Sequence, residues 1–258
     1  MIGPVPPSIT AVAPVRVFVE IFRRFGIDVT EAEARGPMGS GKHEHIARVL
    51  AVPRITGIWT DKYGNAPTEA EIDAMYADFL PLQKTVLSAG SDVIAGVPHV
   101  IAQLRGRGLK IGSTTGYTRK LMSVVTPPAA EQGYVPDCVV CSDDVTLGRP
   151  MPWMNVRAAE LLGVGDFRTI VTVDDTPVGI AAGRNGGMWS VGVALTGNAL
   201  GLSASDAAAL TTDDRLRRLA AIESDFRAAG AHYVVHGVVD LPPVLDDIER
   251  RLNNGERP

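Results

Sequence analysis

The sequence predicts an α/β protein: a doubly wound domain around a parallel sheet, preceded by an all-helical module. Three observations carry this. From Val15 to about Leu87 the apolar residues recur at helical spacing, with no convincing strand. After Ala89 short apolar runs alternate with helical segments, the rhythm of strands connected through helices. Polar residues then cluster just past the ends of those runs, at the sheet edge where open parallel sheets bind ligands.

The elements follow in order. VRVFVEIFRRF (15–25) keeps its apolar residues on one face, and Gly26 stops it. Thr30 with Glu33 has the spacing of a capping box. Pro67-Thr68-Glu69-Ala70-Glu71 opens another helix, with Thr68 as cap and Met75, Phe79 and Leu82 as its buried stripe. In the second zone 97–105 reads as a helix closed by Gly106 and Gly108, and 109–114 as a strand entering a polar turn. A helix over 118–125 follows, then a strand over 138–141 ending at Ser142-Asp143-Asp144. A helix over 154–162, a strand over 169–173 ending at Asp174-Asp175, a helix over 180–185 and a strand over 189–193 complete the pattern.

Composition narrows the function. The 258 residues carry 25 Lys+Arg against 29 Asp+Glu, a net charge of −4, so there is no basic excess to hold nucleic acid. Hydrophobic residues at 45% and charged residues at 21% are ordinary for a globular chain. No apolar run approaches the roughly 18 residues of a membrane span. MIGPVPPSITAVAP, without Lys or Arg, makes a poor signal peptide, and two cysteines imply no disulfide framework. The expectation is a soluble cytoplasmic protein with neither a membrane nor a nucleic-acid partner.

Several segments carry chemistry. Lys42 lies in Gly36-Pro37-Met38-Gly39-Ser40-Gly41-Lys42-His43, which lacks the Ser or Thr a phosphate-cradling P-loop places after its lysine, and which follows a helical stretch where a P-loop follows a strand. Spacing alone favours a solvated lysine on a glycine-rich turn. A third reading is a neutral amine poised to attack a carbonyl, its pKa lowered by burial or by nearby positive charge, with His43 and His45 as neighbours. Ser113-Thr114-Thr115-Gly116-Tyr117 suits either an anion or simple helix capping. Arg149 could fork a phosphate or lie on the surface. Asp174-Asp175, at a strand end, offers hard oxygen ligands for Mg²⁺, or forms a solvated turn. Cys138 and Cys141 have metal spacing, but positions i and i+3 of a strand face opposite ways, so two buried thiols are expected. His99, His232 and His236 read as surface or capping residues.

The order of these segments resembles the haloacid dehalogenase superfamily. GPMGSGKHEHI (36–46), IGSTTGYTRKLM (111–122), GRPMPWM (148–154) and AGRNGGMWSVGV (182–193) are similar, within it, to the phosphonatase (phosphonoacetaldehyde hydrolase) family, and the likeness runs from about Pro14 to the C-terminus. The resemblance implies a Rossmann-like core (1–10 and 90–258) with a helical cap (11–89) inserted after the first core strand, a homodimer, Mg²⁺ and a small phosphonate substrate. It implies hydrolysis of the substrate's C–P bond, giving acetaldehyde and phosphate. Lys42 matches the lysine that forms a Schiff base, with Met38, His45 and Tyr117 around the imine. Thr115, Gly116 and Arg149 match phosphoryl-binding positions, and Asp175 the magnesium acid.

Two departures go with it. Extended upstream without gaps, the match puts Met1 where the family has its nucleophilic aspartate; no aspartate precedes Asp28, and the first core strand is expected to be missing. The chain as given is therefore expected to release little phosphate, either as a truncated phosphonatase or as a non-hydrolytic relative that binds phosphonates or aldehydes through Lys42. A P-loop nucleotide-binding module is the remaining alternative. The family's further acid, four residues beyond Asp175, is Gly179 here; Asp174, where the family has glycine, is a candidate substitute carboxylate.

Overall fold

A computed structural model describes residues 13–89, 93–202, 206 and 209–258. The helical zone contains α1 (Ala13–Arg24), α2 (Glu31–Arg35), α3 (Lys42–Leu50), α4 (Pro53–Tyr63) and α5 (Glu69–Ala89). The second zone runs α6 (Val97–Gly106), β1 (Gly112–Thr114), α7 (Arg119–Glu131), β2 (Cys138–Val140), α8 (Trp153–Leu161), β3 (Val171–Asp174) and α9 (Pro177–Asn185). It ends with β4 (Trp189–Val193), α10 (Thr212–Ala228), β5 (Tyr233–Val235) and α11 (Leu241–Asn253).

Local chemistry accounts for the helix ends. Gly26, at φ +69°, turns the chain out of α1. Thr30 and Glu33 form the reciprocal capping box that starts α2. Thr68 Oγ1 accepts from the Glu71 amide while the Glu71 carboxylate accepts from the Thr68 amide, fixing the start of α5. The apolar faces of these helices close one core of their own, with Phe18, Ile21, Phe22, Ile46, Trp59 and Phe79 at its centre. On α5, Met75 and Phe79 are fully buried, but Leu82 is only half-buried. Gln83 is the buried residue there instead, where α5, still touching the helical core through Leu82 and Val86, also packs against α7.

Every strand pairing is parallel. β4 lies between β3 and β5, with Asp174 beside Gly192 and Val193 beside Val235. β1 pairs with β2, Thr114 beside Val140. Among the described residues no strand joins β1 to β3, so the sheet is in two pieces. The expected absence of a first core strand, and the position matched by Met1, lie outside the described residues.

The strand near 109–114 is shorter than expected, because Leu109 closes a turn onto Leu104 and pairing starts only at Gly112. α7 runs past Val125 through Pro127 and Pro128. β5 and the two helices flanking it were not expected: a three-residue run shows no period, and α10 is polar over most of its surface. No described helix is long and apolar enough to cross a membrane.

Candidate active site

The segment 36–41 brings the helical zone down onto the strand ends. Two glycines make the approach possible. Gly39 has φ +96°, and a Cβ on it would fall 2.5 Å from Thr176 Oγ1. A Cβ on Gly116 would fall 2.7 Å from the Ser40 carbonyl oxygen. Side chains at either position would push the two bodies apart, which assigns Gly116 a steric role beside any contact with phosphate.

Lys42 opens α3 immediately after this segment. It is 6% exposed, with Nζ 3.9 Å from Met38 Sδ, 5.0 Å from the Tyr117 ring centre and 5.4 Å from that of Phe18. Burial draws its pKa down from 10.5 to about 8, Arg149 pushes the same way, and Asp175 opposes. The positive end of the α3 dipole, at whose first residue the amine sits, also disfavours the cation. Such an amine is a usable nucleophile near neutral pH.

The neighbouring histidines do not act as the sequence suggested. His43 turns away, its Nε2 2.8 Å from Asp73 Oδ1. His45 is fully buried, stacked on Phe18 at 3.7 Å, and its Nε2 donates to the Ala34 carbonyl. Burial first, then the Lys42 charge, holds His45 down at about 3, so it is neutral at pH 7 and lends Lys42 no positive charge. Its Nδ1 is left without a hydrogen-bond partner, a bare acceptor in the same pocket.

Below the amine lies a polar cradle at the C-terminal ends of β1 and β3. Arg149 is 5% exposed. Its Nη1 donates to the Gly39 carbonyl (3.3 Å), and its Nη2 to the Thr114 carbonyl (3.1 Å) and Oγ1 (2.9 Å). These bonds aim the guanidinium and leave donors for an anion. Thr115 Oγ1 accepts from the Tyr117 amide at 3.1 Å in the turn before α7. Asp174 Oδ1 accepts from the Thr176 amide (2.9 Å) and Oγ1 (2.8 Å), and Oδ2 lies 3.5 Å from Arg149 Nη2. Asp175 Oδ2 accepts from the Asn198 amide at 2.7 Å. Burial, then the Asp174 charge, raises the Asp175 carboxyl to about 6. Two crowded hard carboxylates beside a phosphate-type anion site fit the donor set of a divalent cation such as Mg²⁺.

Lys42, Met38, His45, Tyr117, Thr115, Gly116, Arg149, Asp174 and Asp175 thus surround one site between the helical zone and the strand ends. The P-loop expectation is corrected, since 36–41 follows α2 rather than a strand. Cys138 and Cys141 are free thiols, Cys141 fully buried and raised to about 11 by burial. His232 is half-buried, accepting at Nδ1 from the Ser190 amide and contacting Arg184 through Nε2. Thr176, Asn198 and Gln83 went unnoticed in the sequence, while Thr114 was read only as part of the candidate anion segment 113–117. Thr176, directly after the two aspartates, carried a usable hint, whereas Asn198 and Gln83 arrive only through tertiary packing. Gln83 Nε2 donates to the Tyr117 hydroxyl at 3.4 Å, with its Oε1 buried and unpartnered.

The site and fold define a hydrolase of the haloacid dehalogenase type, whose family profile, "haloacid dehalogenase-like hydrolase", matches residues 9–187. The phosphonoacetaldehyde hydrolase of Paraburkholderia xenovorans is 50% identical over 96% of this chain and 93% of its own. That of Klebsiella pneumoniae is 46% identical over 95% and 92%. The crystal structure of a phosphonoacetaldehyde hydrolase-like protein from Oleispira antarctica superposes with a TM-score of 0.96 at 40% identity, covering 100% of this chain and 94% of that one. The chain belongs to the phosphonoacetaldehyde hydrolase family of haloacid dehalogenase-like hydrolases.

Proposed function

We propose that this chain cleaves the C–P bond of phosphonoacetaldehyde to acetaldehyde and phosphate through an imine on Lys42. The observation that carries the reading is a buried, depressed-pKa amine close enough to the anion cradle for the charges of both Arg149 and Asp175 to act on it. Direct cleavage would leave an unstabilised carbanion. Neutral Lys42 Nζ adds to the aldehyde carbon, and loss of water leaves a protonated imine. As an oxygen nucleophile takes the phosphoryl group, the C–P bonding pair moves into the adjacent C=N system, giving an enamine. Protonation at carbon and hydrolysis of the imine release acetaldehyde and free Lys42. Tyr117, Met38 and Phe18 exclude water around Nζ, and His45, neutral and stacked on Phe18, closes the pocket behind them. Arg149 and Thr115 hold the phosphoryl oxygens. Asp174 and Asp175 would hold Mg²⁺, which supplies further neutralisation of phosphoryl charge. The position at which the family has its aspartate against phosphorus is matched by Met1, outside the described residues, so the first experiment rests on the imine. Borohydride added with phosphonoacetaldehyde traps a secondary amine on Lys42, located by peptide mass spectrometry. An unmodified Lys42 in folded protein refutes the proposal; trapping without phosphate release supports the aldehyde-binding alternative.

The reactive form is the free amine, which accumulates as pH rises through the folded-state pKa. The groups facing it are Arg149, Asp175, His45 and Tyr117, and none of the other three offsets burial and Arg149 enough to restore an ordinary lysine. The trapping rate is expected to rise with pH, with a midpoint near 8. A midpoint above 10 would mean a solvated amine.

The proposed organisation is a cap over 11–89 on a core of 1–10 and 90–258, supported by the separate apolar core of α1–α5. We also assign a cytoplasmic homodimer. Leu147, Met151 and Trp153 form an exposed apolar run beside the site, of the kind that marks protein contacts. Trp153→Arg should shift the mass seen by light scattering from dimer to monomer; a dimer unchanged by this substitution would place the interface elsewhere.

A further inference from the structure

Positions 174 and 179 compete for the same space. A Cβ on Gly179 would fall 1.9 Å from both Cγ and Oδ2 of Asp174, and 2.2 Å from Oδ1. No packed structure tolerates such contacts, so one side must give way. Asp174 has little freedom to do so. It is 4% exposed, its Oδ1 is held by the Thr176 amide and hydroxyl, and its Oδ2 faces Arg149. Thr176 Oγ1 in turn accepts from the Gly179 amide at 3.2 Å, which fixes the first turn of α9 beneath the carboxylate. The carboxylate of Asp174 therefore occupies the volume that a side chain on α9 at position 179 would fill.

We infer that positions 174 and 179 form one carboxylate slot beside Asp175, that this chain fills it from the end of β3 with Asp174, and that Asp174 Oδ2 is the second protein ligand of the divalent cation. The inference rests on the cation site proposed above. The charge arrangement agrees with it. Oδ1 is spent on two hydrogen bonds, so only Oδ2 remains, and its neighbours are Arg149 and the Asp175 carboxylate. A cation bound by one or two carboxylates keeps open positions for water and phosphoryl oxygens, the usual manner of Mg²⁺. The competing role for Asp174 is that of a structural anchor for Thr176 and Arg149 alone.

The slot makes a reciprocal prediction that an anchor does not. Mn²⁺ binding, followed by electron paramagnetic resonance of the free ion, and thermal melting are measured on five variants without substrate. Asp174→Asn keeps the volume and an acceptor for Thr176, so it should fold normally while weakening Mn²⁺ about tenfold or more. Asp174→Gly should weaken Mn²⁺ at least as much. Gly179→Asp alone should melt lower, because two carboxylates collide in one volume. The double variant Asp174→Gly/Gly179→Asp should regain both the melting temperature and Mn²⁺ affinity to within about threefold of the parent, since the acid re-enters from α9. Parent-like Mn²⁺ affinity in Asp174→Asn, or a double variant that binds no better than Asp174→Gly, overturns the slot. Asp175→Asn separates the two readings: if it loses Mn²⁺ while Asp174→Asn does not, only the slot falls. If both retain Mn²⁺, the cation site falls and the slot with it.

Discussion

Lys42→Arg should abolish borohydride trapping and, in enzyme competent to release phosphate, lower that release by about 10⁴-fold or more, the scale on which loss of a nucleophile acts. Arginine keeps the length and positive charge, and can still lie over Tyr117. It does not lose its proton in proteins, so it never presents the lone pair that attacks an aldehyde. Retained trapping in this variant would move the imine to another lysine and dissolve the proposed site. Lys42→Met asks a second question of the same residue. A folded-state pKa near 8 against 10.5 means that the buried ammonium is disfavoured by about 3 kcal/mol relative to the free amine. Between those pH values the unfolded chain binds more protons at this group, so stability rises with pH across the window and is lowest below it. Methionine removes the charge and keeps most of the volume. The variant should therefore melt higher than the parent at pH 7 while trapping nothing, and the advantage should shrink toward pH 10. A lower melting point at pH 7 would show that the amine is satisfied in its pocket and not strained there.

The helical zone and the strand rhythm were readable because both rest on local rules. A one-sided apolar stripe specifies α1, and a Thr-x-x-Glu spacing specifies the starts of α2 and α5. Asp174-Asp175 announced itself as a polar pair behind an apolar strand, and β4 was placed without error at 189–193. The failures have a common cause. β5 is three residues long, too short for a period to show. Leu82 and Gln83 exchange burial because α5 gains α7 as a second packing partner while keeping the helical core as its first. Lys42 could not be separated from a surface lysine by spacing, since its burial depends on Gly39 and Gly116 letting segment 36–41 approach the core. His45 was expected to lend charge and instead stays neutral, because burial and then the Lys42 charge both disfavour its protonated form, against the Ala34 carbonyl that favours it. Motif resemblance named most of the site residues; geometry was needed to say what each one touches.

Arg149→Lys should separate the two halves of the chemistry. The guanidinium bonds the Gly39 carbonyl with one arm and the Thr114 carbonyl and hydroxyl with the other, and Asp174 Oδ2 stands 3.5 Å from the second. Lysine offers three donors on a single nitrogen and cannot span Gly39, Thr114 and a phosphoryl oxygen together. The loss of one preorganised donor at developing charge is worth about 10²–10³ in kcat. Phosphate release by catalytically competent enzyme should fall by that factor, whereas trapping on Lys42 stays close to the parent because the aldehyde end is held by the cap. The positive charge survives in this variant, so the midpoint of the trapping profile should remain near 8. Arg149→Met removes the charge as well as the fork, and the midpoint should then move upward, since the Arg149 charge is, after burial, the next influence that depresses Lys42. Three outcomes are thus tied to one side chain: slow phosphate release in both variants, trapping retained in both, and a displaced pH profile in the methionine variant alone. An Arg149→Met profile identical to the parent's would mean that Lys42 and Arg149 do not share a pocket. The amine and the phosphate cradle would then belong to different sites, and the imine mechanism would lose its phosphoryl partner.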